Sequence, residues 1–267
     1  MRRILSALTL LLLPLALLLA PTSPASATIG DPIGSNDWSC QPTAQRPTPV
    51  VLVHGTFGDR RSLLDRLSGT LKSRGYCVYS LDYGNRATGP IEESAAQLST
   101  FVDKVLASTG AAKVSMVGHS QGGMMPRYYI KNLGGAGKVD DLVGLAPSNH
   151  GTYNSAALAP LAPVCYSCTQ QASDSQFLAE LNSGDESPGD VSYTNVVTRY
   201  DQVVVPYTSG YLKPARQVTN VTLQDTCPTD LTEHLNIPQD GPAIRWALNA
   251  LGRPGPADPA FRPLCLP

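Results

Sequence analysis

The sequence predicts an α/β fold: a mostly parallel central sheet with helices on both faces. Three observations predict it. Short apolar, β-branched runs alternate with segments of helical period over more than five units. The run Val50-Val51-Leu52-Val53 is apolar without a break, as a strand buried on both faces must be. A third β-type run, from Val114, stops at Gly118 and is followed by Ser120 in a G-x-S-x-G spacing and by a helix-capable segment. That order is the sequence form of a sharp strand–turn–helix elbow with a serine at its tip.

The chain has 267 residues, and the first 27 read as a leader rather than as part of the domain. Met1-Arg2-Arg3 is a positive start, residues 5–20 are apolar apart from Ser6, Thr9 and Pro14, and Ala25-Ser26-Ala27 is a small-residue cleavage site. This is a secretory signal peptide with cleavage near Ala27. A membrane anchor is the rival reading, but the apolar run is short for a span and its Pro/Ser/Ala-rich flank suits a signal peptidase. The leader carries Arg2 and Arg3 and no acid, so its removal moves the formal net charge from −1 to −3. No basic run marks a nucleic-acid partner. Residues 28–267 are long enough for a single domain with a full core, expected as a monomer with no stable membrane anchor. Its six cysteines (Cys40, Cys77, Cys165, Cys168, Cys227, Cys265) read as disulfides in an exported chain, with 15 possible pairings.

Taken in order, residues 28–48 form an extended Pro/Ser/Asp-rich arm. Residues 49–54 are a buried strand ending in the loop His54-Gly55-Thr56-Phe57-Gly58. Residues 62–74 put Leu63, Leu64, Leu67 and Leu71 on one helical face before Gly75, and residues 76–82 are a second strand. Residues 91–106 are helical, 114–117 a strand, 124–133 a helix and 139–146 a strand. Residues 152–190 lose strand pattern, with one short helix around 174–181. They lie on the carboxyl edge of the sheet, where a lid or pocket wall belongs. Strands at 192–198 and 217–223, a loop at 230–234 and a helix at 242–251 complete the domain.

A serine hydroxyl becomes a useful nucleophile only when a base takes its proton, and the base needs a carboxylate to orient it and stabilise its charge. With the serine on an elbow, the chain order is Ser, then Asp or Glu, then His. Of the four histidines, His54 precedes the elbow. His119 lies inside it, and His150 leaves no room for an acid-bearing strand before it. His234, after the last strand, remains as the base. Asp201 stands at the carboxyl end of the strand 192–198 and is the favoured acid. Asp174, Asp185, Glu186 and Asp190 come before that strand, and Asp225 and Asp230 after the next. The developing oxyanion needs two N–H donors. Gln121, directly after the serine, supplies one, and the loop after the first strand supplies the other, Thr56 first and Phe57 second. The Thr56 hydroxyl is a candidate third donor.

With these motifs in place, the chain resembles the class 2 secreted bacterial lipases and esterases of the α/β-hydrolase superfamily. The resemblance rests on Val50-Val51-Leu52-Val53-His54-Gly55-Thr56, Gly118-His119-Ser120-Gln121-Gly122-Gly123, Tyr200-Asp201, His234, and the run 177–182 with Gly184-Asp185-Glu186. It implies an α/β-hydrolase fold with a small lid-like insertion. It also implies a triad of Ser120, Asp201 and His234, an oxyanion hole at Thr56 and Gln121, and fatty-acyl esters as substrates, met at an oil–water interface. The cysteine layout is similar to that of fungal lipase B enzymes, which implies Cys40–Cys77 and Cys227–Cys265 and leaves Cys165–Cys168. No cofactor is implied. Asp225, Asp230 and Asp240 surround His234 without the spacing of a metal site, and none is expected. The alternatives are a polyester or cutin depolymerase or an acyltransferase with the same triad, and a secreted binding protein without catalysis.

Overall fold

The computed structural model describes residues 30–153 and 155–266. The signal peptide read at residues 1–27 lies outside the described residues. Among the described residues six strands form one sheet: β1 Val50–Val53, β2 Val78–Ser80, β3 Val114–His119, β4 Val139–Leu145, β5 Ser192–Val197 and β6 Val218–Thr222. Their order is β2-β1-β3-β4-β5-β6, and every pairing is parallel.

The unbroken apolar run of β1 has a direct structural cause. Val51 and Val53 enter the core on one face of the sheet, Val50 and Leu52 the core on the other, and all four are fully buried. Each such side chain contributes roughly 1.5–3 kcal/mol of burial. The helix Asp65–Ser73 covers the Val50 face with Leu67 and Leu71, and the helix Gly241–Leu251 adds Ile244 and Trp246 there. On the Val51 face lie the helix Ile91–Thr109, through Ile91, Ala95, Leu98, Val102 and Val105, and the elbow helix Gln121–Asn132, through Met124, Met125 and Tyr129.

The structure moves several expected boundaries. The first helix starts at Asp65 rather than 62, because the Asp59 carboxylate accepts from the Arg61 and Ser62 amides and holds a turn, and Leu63 is left-handed at φ +61°. The second strand shrinks to β2, where the arm takes over the outer edge. Asn36 N–H donates to Val78 O, its side chain bonds both N–H and C=O of Ser80, and Cys40–Cys77 anchors the arm. The elbow helix starts at Gln121, three residues early, because Gly122 and Gly123, read as turn residues, form its first turn. Among its described residues the insertion 152–190 holds the expected helix Gln176–Leu181, two more α-helices, Ser155–Leu158 and Tyr166–Gln170, and a 3-10 helix at Ala159–Leu161. The Cys165–Cys168 disulfide spans the start of the latter, and Cys227–Cys265 ties the C-terminal tail to the segment after β6. No helix among the described residues is long and apolar enough to cross a membrane.

The chain leaves β1 for β2 on one side and returns to β3 on the other. The carboxyl ends of β1 and β3 therefore flank the point where strand order reverses, which is where an open parallel sheet forms a ligand crevice. The Thr56 loop follows β1 and Ser120 follows β3.

Candidate active site

Ser120 sits at φ +56°, ψ −123°, a conformation an L-residue holds only when its surroundings enforce it. Its N–H donates to Leu145 O (2.9 Å), and its carbonyl accepts from Gly123 N–H (2.9 Å). The flanking glycines are steric necessities. A Cβ on Gly118 would stand 1.8 Å from Gly122 O, and one on Gly122 would stand 2.2 Å from Val53 O. The elbow helix can lie this close to β1 and β3 only because both side chains are absent.

Asp201 follows β5 and His234 lies in the loop before the last helix, and several bonds lace the two segments together. A parallel bridge joins Tyr200 to Glu233, and Thr198 Oγ1 donates to Thr232 O (2.6 Å). Gln224 Nε2 donates to both Thr198 Oγ1 and Asp230 O. The Glu233 carboxylate accepts from the Leu235 and Asn236 amides, which shapes the turn around the histidine. His234 Nδ1 and Asp201 Oδ2 meet at 2.8 Å, with side chains 3% and 1% exposed. A carboxylate only accepts, so Nδ1 carries the proton and Nε2 keeps its lone pair free. Asp201 Oδ1 accepts from the Val203 and Val204 amides (2.9 and 2.8 Å), so both of its oxygens are held.

Ser120, His234 and Thr56 open into one cavity of about 400 Å³, walled by Tyr153, Leu158, Leu161 and Val203. Among the described residues no direct hydrogen bond joins Ser120 to His234. A larger cleft of about 570 Å³ lies behind the His234 loop, beside Asp230, Glu233 and Asp240, and reaches neither Ser120 nor His234. The carboxylates there have local duties: Asp240 accepts from Ala243 N–H at the start of the last helix, and Asp230 from Thr232 N–H. Asp225 pairs with Arg199.

The two candidate oxyanion loops face each other. Phe57 N–H donates to Arg86 O (2.8 Å), which removes it from candidacy, whereas the Thr56 N–H has no acceptor among the described residues. The Thr56 hydroxyl gives its proton to Gln121 Oε1 (2.7 Å) and so is no free third donor in this conformation.

The other histidines find different work. His54 is buried, gives its Nδ1 proton to Gly55 O (2.8 Å) and stacks on Tyr83. His150 bonds Glu186 and Ser209 O. His119, set aside as a base, gives its Nε2 proton to the carbonyl of His234 (2.8 Å). Burial, followed by the neighbouring His234, pushes its pKa down to about 3, so it stays neutral. The histidine inside the elbow thus holds the backbone of the other histidine. A polar residue at a position flanked by two buried strand ends is the only sequence signal that points to it. Gln171, whose side chain reaches both Thr56 and Gln121, gives no signal in the irregular insertion where it lies.

The parallel sheet, the switch-point crevice and the serine elbow define an α/β-hydrolase. Solved structures share the fold. Aspergillus fumigatus lipase B superposes with a TM-score of 0.73 at 23% identity, covering 86% of this chain and 57% of that one. The mature lipase BlEst2 of Bacillus licheniformis gives 0.58 at 15% identity, covering 74% and 88%. The family model described as lipase (class 2) matches residues 47–246, and the chain belongs to that family. Among curated relatives, a triacylglycerol lipase of Vibrio cholerae is 37% identical over 127 residues, 46% of this chain and 38% of that protein. One of Burkholderia plantarii is 41% identical over 87 residues, 30% of this chain and 24% of that protein. The chain therefore matches well under half the length of these relatives.

Proposed function

We propose that the protein is a secreted serine carboxylic-ester hydrolase that acts on fatty-acyl esters, triacylglycerols among them. The observation that carries the reading is the buried His234–Asp201 pair, tautomer-fixed at 2.8 Å, opening into the same apolar-walled cavity as Ser120. In this reaction Ser120 Oγ attacks the ester carbonyl carbon while His234 Nε2 takes its proton. Asp201 stabilises the imidazolium. The N–H groups of Thr56 and Gln121 receive the oxyanion, each worth about 3–4 kcal/mol. The imidazolium then protonates the departing alkoxide, and water, deprotonated by the same histidine, releases the acid from the acyl-enzyme.

Family membership and the names of the relatives support the substrate class. The exposed Phe57, Tyr153 and Leu235 at the cavity mouth support an approach to an oil–water interface. The disulfides support export. Ser120→Ala should abolish labelling by a fluorophosphonate probe and lower turnover of p-nitrophenyl esters about 10⁶-fold. A wild-type protein that resists the probe and hydrolyses no p-nitrophenyl ester of any chain length would refute the reading.

A further inference from the structure

Gln171 lies just past the helix Tyr166–Gln170, in the insertion that covers the cavity, yet its side chain points down into the two loops beside Ser120. Its Nε2 has two protons: one is shared between Thr56 Oγ1 (3.1 Å) and Gln121 Oε1 (3.2 Å), the other goes to Ser167 O (3.2 Å), and its Oε1 accepts from Ser148 Oγ (2.8 Å). The backbone is fixed as well: its N–H donates to Ser167 O and its carbonyl accepts from Thr152 N–H, both at 3.0 Å. Gln121 is fully buried and Gln171 is 7% exposed.

The direction of these bonds matters. The Thr56 hydroxyl has one proton, which goes to Gln121 Oε1. A donor arriving from Gln171 at the Thr56 oxygen turns the hydroxyl proton away from Gln171 and so favours the orientation toward Gln121 Oε1. The loop after β1 and the first residue of the elbow helix are then braced by a closed ring of three side chains. Gln121 Nε2 is already buried without a hydrogen-bond partner among the described residues, so each further bond lost from the ring adds another unsatisfied polar group and the three side chains loosen together.

Resting on the reaction proposed above, we infer that Gln171 is a positioning residue for the oxyanion hole: it holds the Thr56 and Gln121 backbones at the separation that the tetrahedral oxyanion requires, and so makes the insertion part of the catalytic framework. It lines the cavity beside Ser120 and hydrogen-bonds neither Ser120 nor His234 among the described residues. Misplacing a donor by a fraction of an ångström loses transition-state stabilisation while leaving ground-state binding in the apolar cavity intact.

The test compares Gln171→Leu with Gln171→Glu. Leucine keeps the bulk and removes every bond. Glutamate keeps an acceptor for Ser148 but cannot donate to Thr56. Both should lower kcat for p-nitrophenyl esters about 10- to 100-fold with KM and acyl-chain preference unchanged. Affinity for an alkyl boronic acid, which adds to Ser120 as a tetrahedral mimic, should fall in parallel. In a double-mutant cycle, Thr56→Val on top of either variant should add little, since both break one ring. The inference is overturned if a folded variant keeps kcat within about twofold of wild type, or if the loss is confined to KM and chain-length preference, which is the behaviour of a cavity wall. If the leucine variant misfolds, Gln171→Met, which is uncharged and likewise cannot donate to Thr56, decides by the same criteria, because the glutamate variant also sets a negative charge beside the oxyanion. A wild-type protein that fluorophosphonate does not label would instead sink the serine mechanism itself, which separates the two failures.

Discussion

His119 braces the backbone of His234, the proposed base, through one buried hydrogen bond. Its Nε2 proton is committed to the His234 carbonyl, its ring lies 4.9 Å from the His234 ring, and burial keeps it neutral. Two effects follow from its removal. The His234 carbonyl loses its buried donor, a cost of about 1–3 kcal/mol, and the imidazole loses a brace. His119→Leu should therefore lower both the melting temperature and kcat, the latter about tenfold by misorientation of the base. His119→Gln, whose amide nitrogen can stand near the lost Nε2, should recover most of both. Thermal melts and p-nitrophenyl ester kinetics on the two variants check this; a leucine variant with wild-type kcat would separate His119 from the base. Its contact was not legible from sequence for a plain reason. The partner is 115 residues away, and it is a backbone carbonyl, which no residue type announces. The contact between Asp201 and His234 was more accessible, because chain order and strand ends restrict where an acid and a base can emerge around an elbow serine.

At the level of elements, strands buried on both faces and helices with an apolar stripe were readable because burial imposes a pattern on composition: Val50 through Val53, and Ile91, Ala95, Leu98, Val102 and Val105. The helices at Ser155–Leu158 and Tyr166–Gln170 were not: the first buries no residue, and the second buries Ser167, Cys168 and Gln170, which make no apolar stripe. Nor was the early start of the elbow helix, because tertiary closeness to β1 demands glycine where helix propensity disfavours it. The loop that carries His234, the proposed base, has its own anchorage. Residues 228–240 lack a strand or long helix of their own and are held between β6 and the last helix, with Cys227 buried and Cys265 exposed on the tail. Cys227–Cys265 closes a 38-residue separation, worth about 4 kcal/mol on the chain-entropy model. Its loss falls first on this loop, whereas the sheet has its own core. The double variant Cys227→Ser/Cys265→Ser should lose esterase activity at temperatures where β1 and β3 amides still resist hydrogen exchange, with exchange accelerated in residues 228–240. Activity and sheet protection lost in a single transition would show that the disulfide supports the whole domain and not the loop.

For the whole molecule, buried titratable groups set the pH range over which the fold is stable, and they pull in opposite directions. His54 and His119 have pKa values depressed by burial, the latter to about 3. Below the ordinary value of 6.5 the unfolded chain takes up protons that the folded chain refuses, so their contribution is present above 6.5 and is lost as the pH falls through the folded values. Asp141, on β4, does the reverse. Burial raises its pKa from 3.8 to about 7, and the one hydrogen bond from Ser115 Oγ (2.9 Å) does not offset it. Between those two values the folded state keeps a proton that the unfolded state gives up. Stability from this group is therefore full below pH 4, falls as the pH rises, and is gone above about 7, for a total of at most about 4 kcal/mol. Asp141→Asn keeps an acceptor for Ser115 and cannot ionise. The variant should match wild type near pH 4 and exceed it by a margin that grows to pH 7 and then stays constant, with the acid-side decline from the two histidines unchanged. Urea denaturation at pH 4, 5.5 and 8 measures the margin directly. A variant that is equally or more unstable at pH 8 would mean that Asp141 is ionised and well solvated in the fold, and that the alkaline side of the stability profile is set elsewhere.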